Sequence, residues 1–153
     1  MEKKKYWTET QASSKKDDWE TPQDLFDKLH SKYNFTLDAA ASDENAKLDN
    51  YYTIKDDALK QKWRGRVFVN PPYGREIKHW VKKAYEESLE PYNECVVMVI
   101  PSRTDTIYWH DFIFNKAKYI KFLKGRLKFE VNGISKDPAP FPSAIILYKK
   151  EVY

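Results

Sequence analysis

Apolar positions change period several times along the chain, and each change marks an element. Leu25, Phe26, Leu29 and Tyr33 recur at helical spacing behind Thr21, Pro22 and Asp24. A capping hydroxyl, a proline and an acid suit a helix start, so the pattern predicts a helix over about 22–33. Phe35-Thr36-Leu37 predicts a short strand, and the polar, small-residue stretch from Asp38 to about Asp57 predicts a loop. Val67-Phe68-Val69 is a second strand, stopped at Asn70-Pro71-Pro72-Tyr73-Gly74 because two prolines fit neither a ladder nor a helix. Ile77, Trp80, Val81, Ala84 and Tyr85 give an amphipathic helix over about 76–89, ending before Pro91. Val96 to Ile100 is apolar throughout, the mark of a central strand covered on both faces. Tyr108–Asn115 reads as a helix, Tyr119–Leu123 as a strand, and Leu127–Val131 with Ala144–Tyr148 as a final antiparallel pair. The intervening Asn132–Pro142 is polar, proline-rich and long for a hairpin connection, hence a candidate functional loop.

Strands alternating with helices predict an α/β fold: a three-layer, Rossmann-like domain on a mainly parallel sheet with an antiparallel terminal strand. A chain of 153 residues suits one domain, expected over 18–153, behind a polar, mobile tail over 1–17. No apolar run approaches the ~20 residues of a membrane span, and no secretory signal follows Met1, so a cytoplasmic location without membrane contact is expected. Cys95, the single cysteine, precedes an apolar strand and reads as a buried thiol. His30, His79 and His110 have no ligand-spaced partners, so no metal site is expected. Five Trp and eleven Tyr suit either stacking on flat ligands or an aromatic core. The net charge is +4, gathered into three groups: Lys60 to Arg66, Arg75 to Lys83, and Lys116 to Lys128. Each group is either a phosphate contact or a solvated face.

The chemistry concentrates at Asn70-Pro71-Pro72-Tyr73, a turn between strand and helix, where α/β sheets collect their sites. The Asn70 side-chain oxygen and the Pro71 backbone carbonyl can together accept both hydrogens of a planar amino group. Such a nitrogen is a poor nucleophile because its lone pair is delocalised. Two acceptors free the lone pair and bear the positive charge that grows as a methyl group arrives. Tyr73 offers a flat face for stacking, worth about 1–3 kcal/mol at comparable base sites. The alternative is a proline-stiffened turn with an asparagine cap.

The motif resembles the signature of nucleic-acid amino-methyltransferases, Asp, Asn or Ser before Pro-Pro and an aromatic. Trp19-Glu20-Thr21-Pro22, Leu37 to Ser42, Asn70 to Ile77, Ile100 to Thr106, Gly125 to Phe129 and Ala139 to Ala144 occur in order and resemble the compact phage-type DNA N6-adenine methyltransferases. The resemblance implies S-adenosylmethionine as cofactor and DNA as partner, with Asn70, Pro71, Pro72 and Tyr73 as the catalytic set. It implies a cofactor site from Trp19, Thr21, Pro22, Asp38, Ala39, Ser42, Asp57 and Asn70. Trp19, Thr21 and Pro22 match the segment that closes over the cofactor. Asp38 matches the acceptor for its ammonium group, and Asp57, failing which Asp56, a partner for its adenosine. Asp38 and Asp57 also read as a helix cap or surface carboxylate. One departure stands out: Asp38 to Ser42 carries alanines where family loops carry glycines, so its turn must keep φ below zero.

The implied reaction is direct in-line attack of adenine N6 on the methyl group, with the adenine flipped out of duplex DNA onto Tyr73. Arg75, Arg103, Thr104, Asp105 and Arg126 are candidate substrate contacts, and Asn132–Pro142 a candidate groove contact. Alternatives are methylation of RNA adenine or a protein glutamine amide, and an inactive DNA-binding module on the same fold. A bacterial host cytoplasm is implied if the chain is phage-borne; oligomeric state is unspecified.

Overall fold

The computed structural model describes residues 19–151; the expected tail over 1–17 lies outside them. The elements are α1 (Gln23–Tyr33), β1 (Leu37–Asp38), a 3-10 turn (Ala58–Lys60), β2 (Gly65–Val69), α2 (Ile77–Ser88), β3 (Asn93–Pro101), α3 (Ile107–Phe112), β4 (Tyr119–Phe122), β5 (Glu130–Val131), β6 (Ile134–Ser135) and β7 (Ser143–Tyr148). Five strands form one sheet in the order β1-β2-β3-β7-β4. β1, β2 and β3 are parallel, and β7 runs antiparallel to both β3 and β4. β4 therefore points the same way as the first three.

Alternation along β3 sorts the core into two layers. Val96, Met98 and Ile100 face a cluster with Trp63, Trp80, Val81 and Trp109, under α2 and α3. Cys95, Val97 and Val99 face a second cluster with Phe26, Leu29, Phe35 and Phe68, under α1. Every residue of β7 is buried, as in a strand covered on both faces. The α/β sandwich expected from the sequence is therefore present, with Cys95 buried within it.

Five local expectations are corrected. Pro22, not Thr21, holds the N-cap position of α1, and no side chain caps the helix. The proline fixes an extended approach that turns Thr21 inward, where it is 2% exposed. Ala144–Tyr148 does not pair with Leu127–Val131; β7 inserts between β3 and β4, while Glu130–Val131 pairs with Ile134–Ser135. Asn132 and Gly133, both at positive φ, close that small hairpin locally. Asn132–Pro142 is therefore not one loop: it contains β6, and Ala139 and Phe141 lie in the core. β1 covers Leu37–Asp38 rather than beginning at Phe35, and α3 stops at Phe112.

Among the described residues no helix is long and apolar enough to cross a membrane, and no three His, Cys, Asp or Glu stand together as metal ligands do.

Gly65 opens β2 at φ +77°, and a β-carbon there would meet Thr36 Oγ1 at 2.5 Å. That hydroxyl is held by Arg66, accepting from its N–H at 3.0 Å and donating to its C=O at 3.2 Å. Gly65→Ala is expected to cost about 2 kcal/mol, from left-handed strain plus the clash, or a Tm loss of roughly 4–8 °C. Adding Thr36→Ala should recover the clash but not the strain. Equal Tm for the single and double variants, measured by scanning calorimetry, would remove the steric part of this account.

Candidate active site

The parallel register brings the carboxyl ends of β1, β2 and β3 to one edge of the sheet, and Leu37 and Asp38 lie level with Val67 and Phe68. The chain must leave the sheet there, and an open cleft of about 830 Å³, counting space open to solvent, forms between the departing loops. Its walls include Trp19, Thr21, Asp38 to Ser42, Asp57, Asn70, Pro71, Pro72 and Trp80.

Asp38 is the floor of the cleft and is 2% exposed. Its carboxylate accepts the Lys47 N–H at 3.0 Å and, weakly, the Ala40 N–H at 3.4 Å. The Lys47 ammonium bonds Gln23 Oε1 instead. Burial without a close counter-ion outweighs these hydrogen bonds and raises the Asp38 pKa to about 6. The loop beyond it avoids positive φ from Ala39 to Ser42, so alanine fits where glycine is usual. Ala39 N–H bonds Phe68 C=O across the strand end, and Ser42 and Asn45 cap one another.

Two buried donors on wall residues have no partner among the described residues: the Thr21 hydroxyl and the Trp80 indole N–H. Unsatisfied buried donors are costly, and both belong to residues of the cleft wall. Together with an uncompensated carboxylate, they suit a polar ligand carrying both a cationic group and hydrogen-bond acceptors.

Asn70 stands where β2 ends. Its amide nitrogen donates to the Trp19 carbonyl, and its Oδ1 accepts the Tyr73 hydroxyl at 2.6 Å. That hydroxyl also lies 3.0 Å from the Val99 carbonyl, so its one hydrogen has two acceptors. Tyr73 is buried, which pushes its pKa well above the usual value and keeps the hydroxyl protonated. Its ring meets Phe129 and Phe141 edge-on at 6.1 and 5.6 Å, and Trp19 meets the same pair at 5.4 and 5.2 Å. The Tyr73 ring is thus enclosed by aromatic neighbours, while Asn70 and both prolines line the cleft.

The other sequence-derived residues divide by place. Trp19, Thr21, Asp38, Ala39, Ser42 and Asp57 share the cleft with Asn70. Pro22 is buried beside them at the N-cap of α1 and is not among the cleft walls. Asp57 takes a left-handed conformation, 3.8 Å from Lys60. Asp56 is engaged elsewhere, accepting from Thr53 N–H at 2.8 Å. Arg75, Arg103, Thr104, Asp105 and Arg126 are exposed and outside the cleft. Arg103 sits 5.9 Å over the Phe141 ring, and Arg126 donates to Ala139 C=O.

Sequence reasoning missed Trp80, read only as part of a helix's apolar face, and Asn45, Lys47, Tyr52 and Thr53, which fell in a segment without period. Only the orphaned indole N–H distinguishes Trp80 from a core residue. It also missed the strap made by residues 19–23. Glu20 C=O accepts Glu130 N–H at 2.9 Å, Glu20 Oε2 accepts Asn132 N–H at 3.0 Å, and Glu130 Oε2 accepts Gln23 N–H at 3.2 Å.

Comparison with known proteins shows the family. A family model described as DNA N-6-adenine-methyltransferase (Dam) matches residues 8–151. The DNA N-6-adenine-methyltransferase of Haemophilus phage HP1 is 30% identical over 149 residues, covering 92% of this chain and 84% of the relative. That of Escherichia phage T1 is 31% identical over 121 residues, 77% of this chain but 49% of the relative, so the chain spans about half the length of that protein. A putative methyltransferase of Escherichia coli K12, YfdM, is 37% identical over 65 residues, 37% of this chain. Because the family match runs through the whole sheet, from ahead of the strap to beyond β7, the chain belongs to the DNA N-6-adenine-methyltransferase (Dam) family.

Proposed function

We propose that this protein transfers a methyl group from S-adenosylmethionine to the N6 amino group of adenine in duplex DNA. One observation carries the reading: Asn70 and the uncompensated Asp38 carboxylate, at the ends of neighbouring parallel strands, line the same cleft.

The cleft residues fit the cofactor. Asp38 would hold its ammonium group, the Thr21 hydroxyl and Trp80 N–H would donate to its acceptors, and Asp57 would accept from its adenine amino group. Trp19, Pro22, Ala39 and Ser42 complete the walls and their support. When bound, S-adenosylmethionine supplies a methyl group on a positively charged sulfur.

Asn70 and Pro71 act on the other reactant. Asn70 Oδ1 keeps one lone pair beyond the Tyr73 hydroxyl, and that lone pair and the Pro71 carbonyl accept the two N6 hydrogens. The Trp19 carbonyl, engaged by the Asn70 amide nitrogen, fixes which end of the amide faces the amine. Charge developing on N6 therefore meets preorganised acceptors. The methyl group would pass to N6 in line, with the carbon–sulfur bonding pair staying on the cofactor's sulfur, while Asn70 and Pro71 hold the two N6 hydrogens until one leaves as a proton to water. Reach requires the adenine out of the helical stack, with reacting atoms about 3–3.5 Å apart. Pro72 stiffens the turn. Stacking on Tyr73 would require Phe129 or Phe141 to move aside. Arg75, Arg103, Thr104, Asp105 and Arg126 would contact the DNA around the site. The work would take place in the cytoplasm, that of a bacterial host where the chain is phage-encoded.

Incubation with S-adenosylmethionine and unmethylated DNA, followed by nucleoside mass spectrometry, is expected to give N6-methyladenine. Asn70→Ala should lower the yield by about two orders of magnitude or more, the scale of losing a transition-state acceptor. Product from RNA or a glutamine amide but not from DNA would overturn the substrate. Cofactor-free DNA binding with no product from any substrate would indicate a binding module.

Asp38 gives a second prediction. Its ionised form binds an ammonium group, so titration calorimetry should show wild-type affinity for S-adenosylmethionine falling as pH drops through about 6. Asp38→Asn should bind roughly 10- to 100-fold more weakly and lose that pH dependence. Stability moves the other way. The folded pKa lies above the unfolded value of 3.8, so the fold binds the extra proton between about 4 and 6 and loses stability as pH rises through that window. Wild-type Tm should therefore gain on Asp38→Asn as pH falls from 7 to 5, and a constant difference would show that burial does not perturb this carboxyl.

A further inference from the structure

Of the third basic group, the proposed function uses only Arg126 and leaves the lysines unassigned. Residues 112–129 contain Lys116, Lys118, Lys121, Lys124, Arg126 and Lys128, and no Asp or Glu. The stretch includes β4, at one end of the sheet order, so among the described residues one side of the strand has no partner. Tyr119 and Phe122 on that strand are 50% and 55% exposed. Among the described residues none of these six cations forms an ion pair.

We propose that the β4 edge is a second DNA contact, gripping the backbone of the same DNA to one side of the target adenine. This rests on DNA being the substrate. β4 points the same way as β2, so Phe122 and the following Lys124 and Arg126 reach the edge of the sheet where Asn70 stands. Three strand spacings of ~4.8 Å separate β2 from β4, roughly 14 Å, or about four base-pair steps of DNA. A duplex with its target at Asn70 therefore passes the tract within a few base pairs. Exposed aromatics among cations are the composition of a nucleic-acid surface.

Two other accounts are weaker. Lysines on an open strand can serve only to block pairing with another sheet, but the run continues through Lys124, Arg126 and Lys128, beyond the strand. A second copy pairing antiparallel along β4 would bring two lysine-rich edges with no acidic residue together, and like charges close across strands repel.

The test compares wild type with the triple variant Lys118→Gln, Lys121→Gln, Lys124→Gln, all exposed positions. A control, Lys28→Gln, Lys32→Gln, Lys149→Gln, removes the same charge elsewhere. DNA affinity is measured by fluorescence anisotropy across a salt series, on a long duplex and on one ending about three base pairs from the target. On the long duplex the β4 variant should bind at least tenfold more weakly, with a salt slope shallower by about 2, given ~0.9 per phosphate contact. Its S-adenosylmethionine affinity, its binding to the short duplex and the control variant should match wild type. An unchanged slope on the long duplex would overturn the proposal in favour of edge protection. A change in oligomeric state by sedimentation without a change in slope would overturn it in favour of self-association. Failure of wild type to methylate or bind any DNA would instead overturn the substrate reading, and this proposal with it.

Discussion

The side-chain amide of Asn70 is held at both ends, and much of the site's architecture can be traced from those two bonds. Its nitrogen end is fixed by a backbone carbonyl of the strap and its oxygen end by a tyrosine hydroxyl anchored against β3. An unrestrained amide presents oxygen or nitrogen with little preference, and only the oxygen accepts hydrogens from an amine. The fold resolves that ambiguity with groups far apart in the chain. The strap needs the β5–β6 hairpin, through Glu20 and Glu130. The hairpin's flanks carry Phe129 and Phe141, which pack on Tyr73 and Trp19. Orientation at one amide therefore depends on cooperative closure around it.

Asp38 shows the opposite arrangement, a group the fold leaves unsatisfied. A shift from 3.8 to about 6 corresponds to about 3 kcal/mol against the ionised form. That is a sizeable fraction of the stability of a typical domain. Stability alone would favour a neutral side chain on this floor. A cationic ligand converts the same desolvation into an advantage, because a charge pair shielded from water is stronger than one exposed to it. The unpartnered Thr21 hydroxyl and Trp80 N–H follow the same logic at smaller scale. All three residues belong to the walls of one cleft.

Much of this was legible in the sequence because it is written in local patterns. The all-apolar run at Val96 to Ile100 marked the central strand, and the two prolines after Asn70 marked the end of β2. Strand alternation then implied a shared edge for Asp38 and Asn70. What escaped depends on distant partners. The choice of β7's neighbours is decided by burial on both faces, and a run such as Ala144–Tyr148 is equally compatible with any of them. Asn132-Gly133 signals a tight turn, but the length of the Asn132–Pro142 segment obscured it. Thr21 looked like a cap because Thr before a helix usually is one; the proline behind it takes that position and leaves the hydroxyl buried without a partner among the described residues. Trp80 is indistinguishable in sequence from the core residues on its own helix face.

The enclosed state of Tyr73 bears on how a planar substrate arrives. Ring centroids in the Trp19, Tyr73, Phe129 and Phe141 group stand 5.2–6.1 Å apart, with each Tyr73 contact close to perpendicular. A flat ring stacked between two others needs about 7 Å between the outer pair, twice the usual van der Waals spacing of ~3.5 Å, in parallel rather than edge-on geometry. The group as it stands cannot admit a base over Tyr73. Of its four rings, Tyr73 is fixed through β2 and Val99, whereas Trp19, Phe129 and Phe141 ride on the strap and the flanks of the hairpin, held to each other by a handful of backbone and carboxylate hydrogen bonds. Opening therefore falls to the strap and hairpin, and those elements also carry the carbonyl that orients Asn70. Under the proposed reading, entry of a base over Tyr73 would be linked to release of the amide's nitrogen end, and the acceptor geometry proposed for N6 would have to be re-formed around the substrate once it is in place.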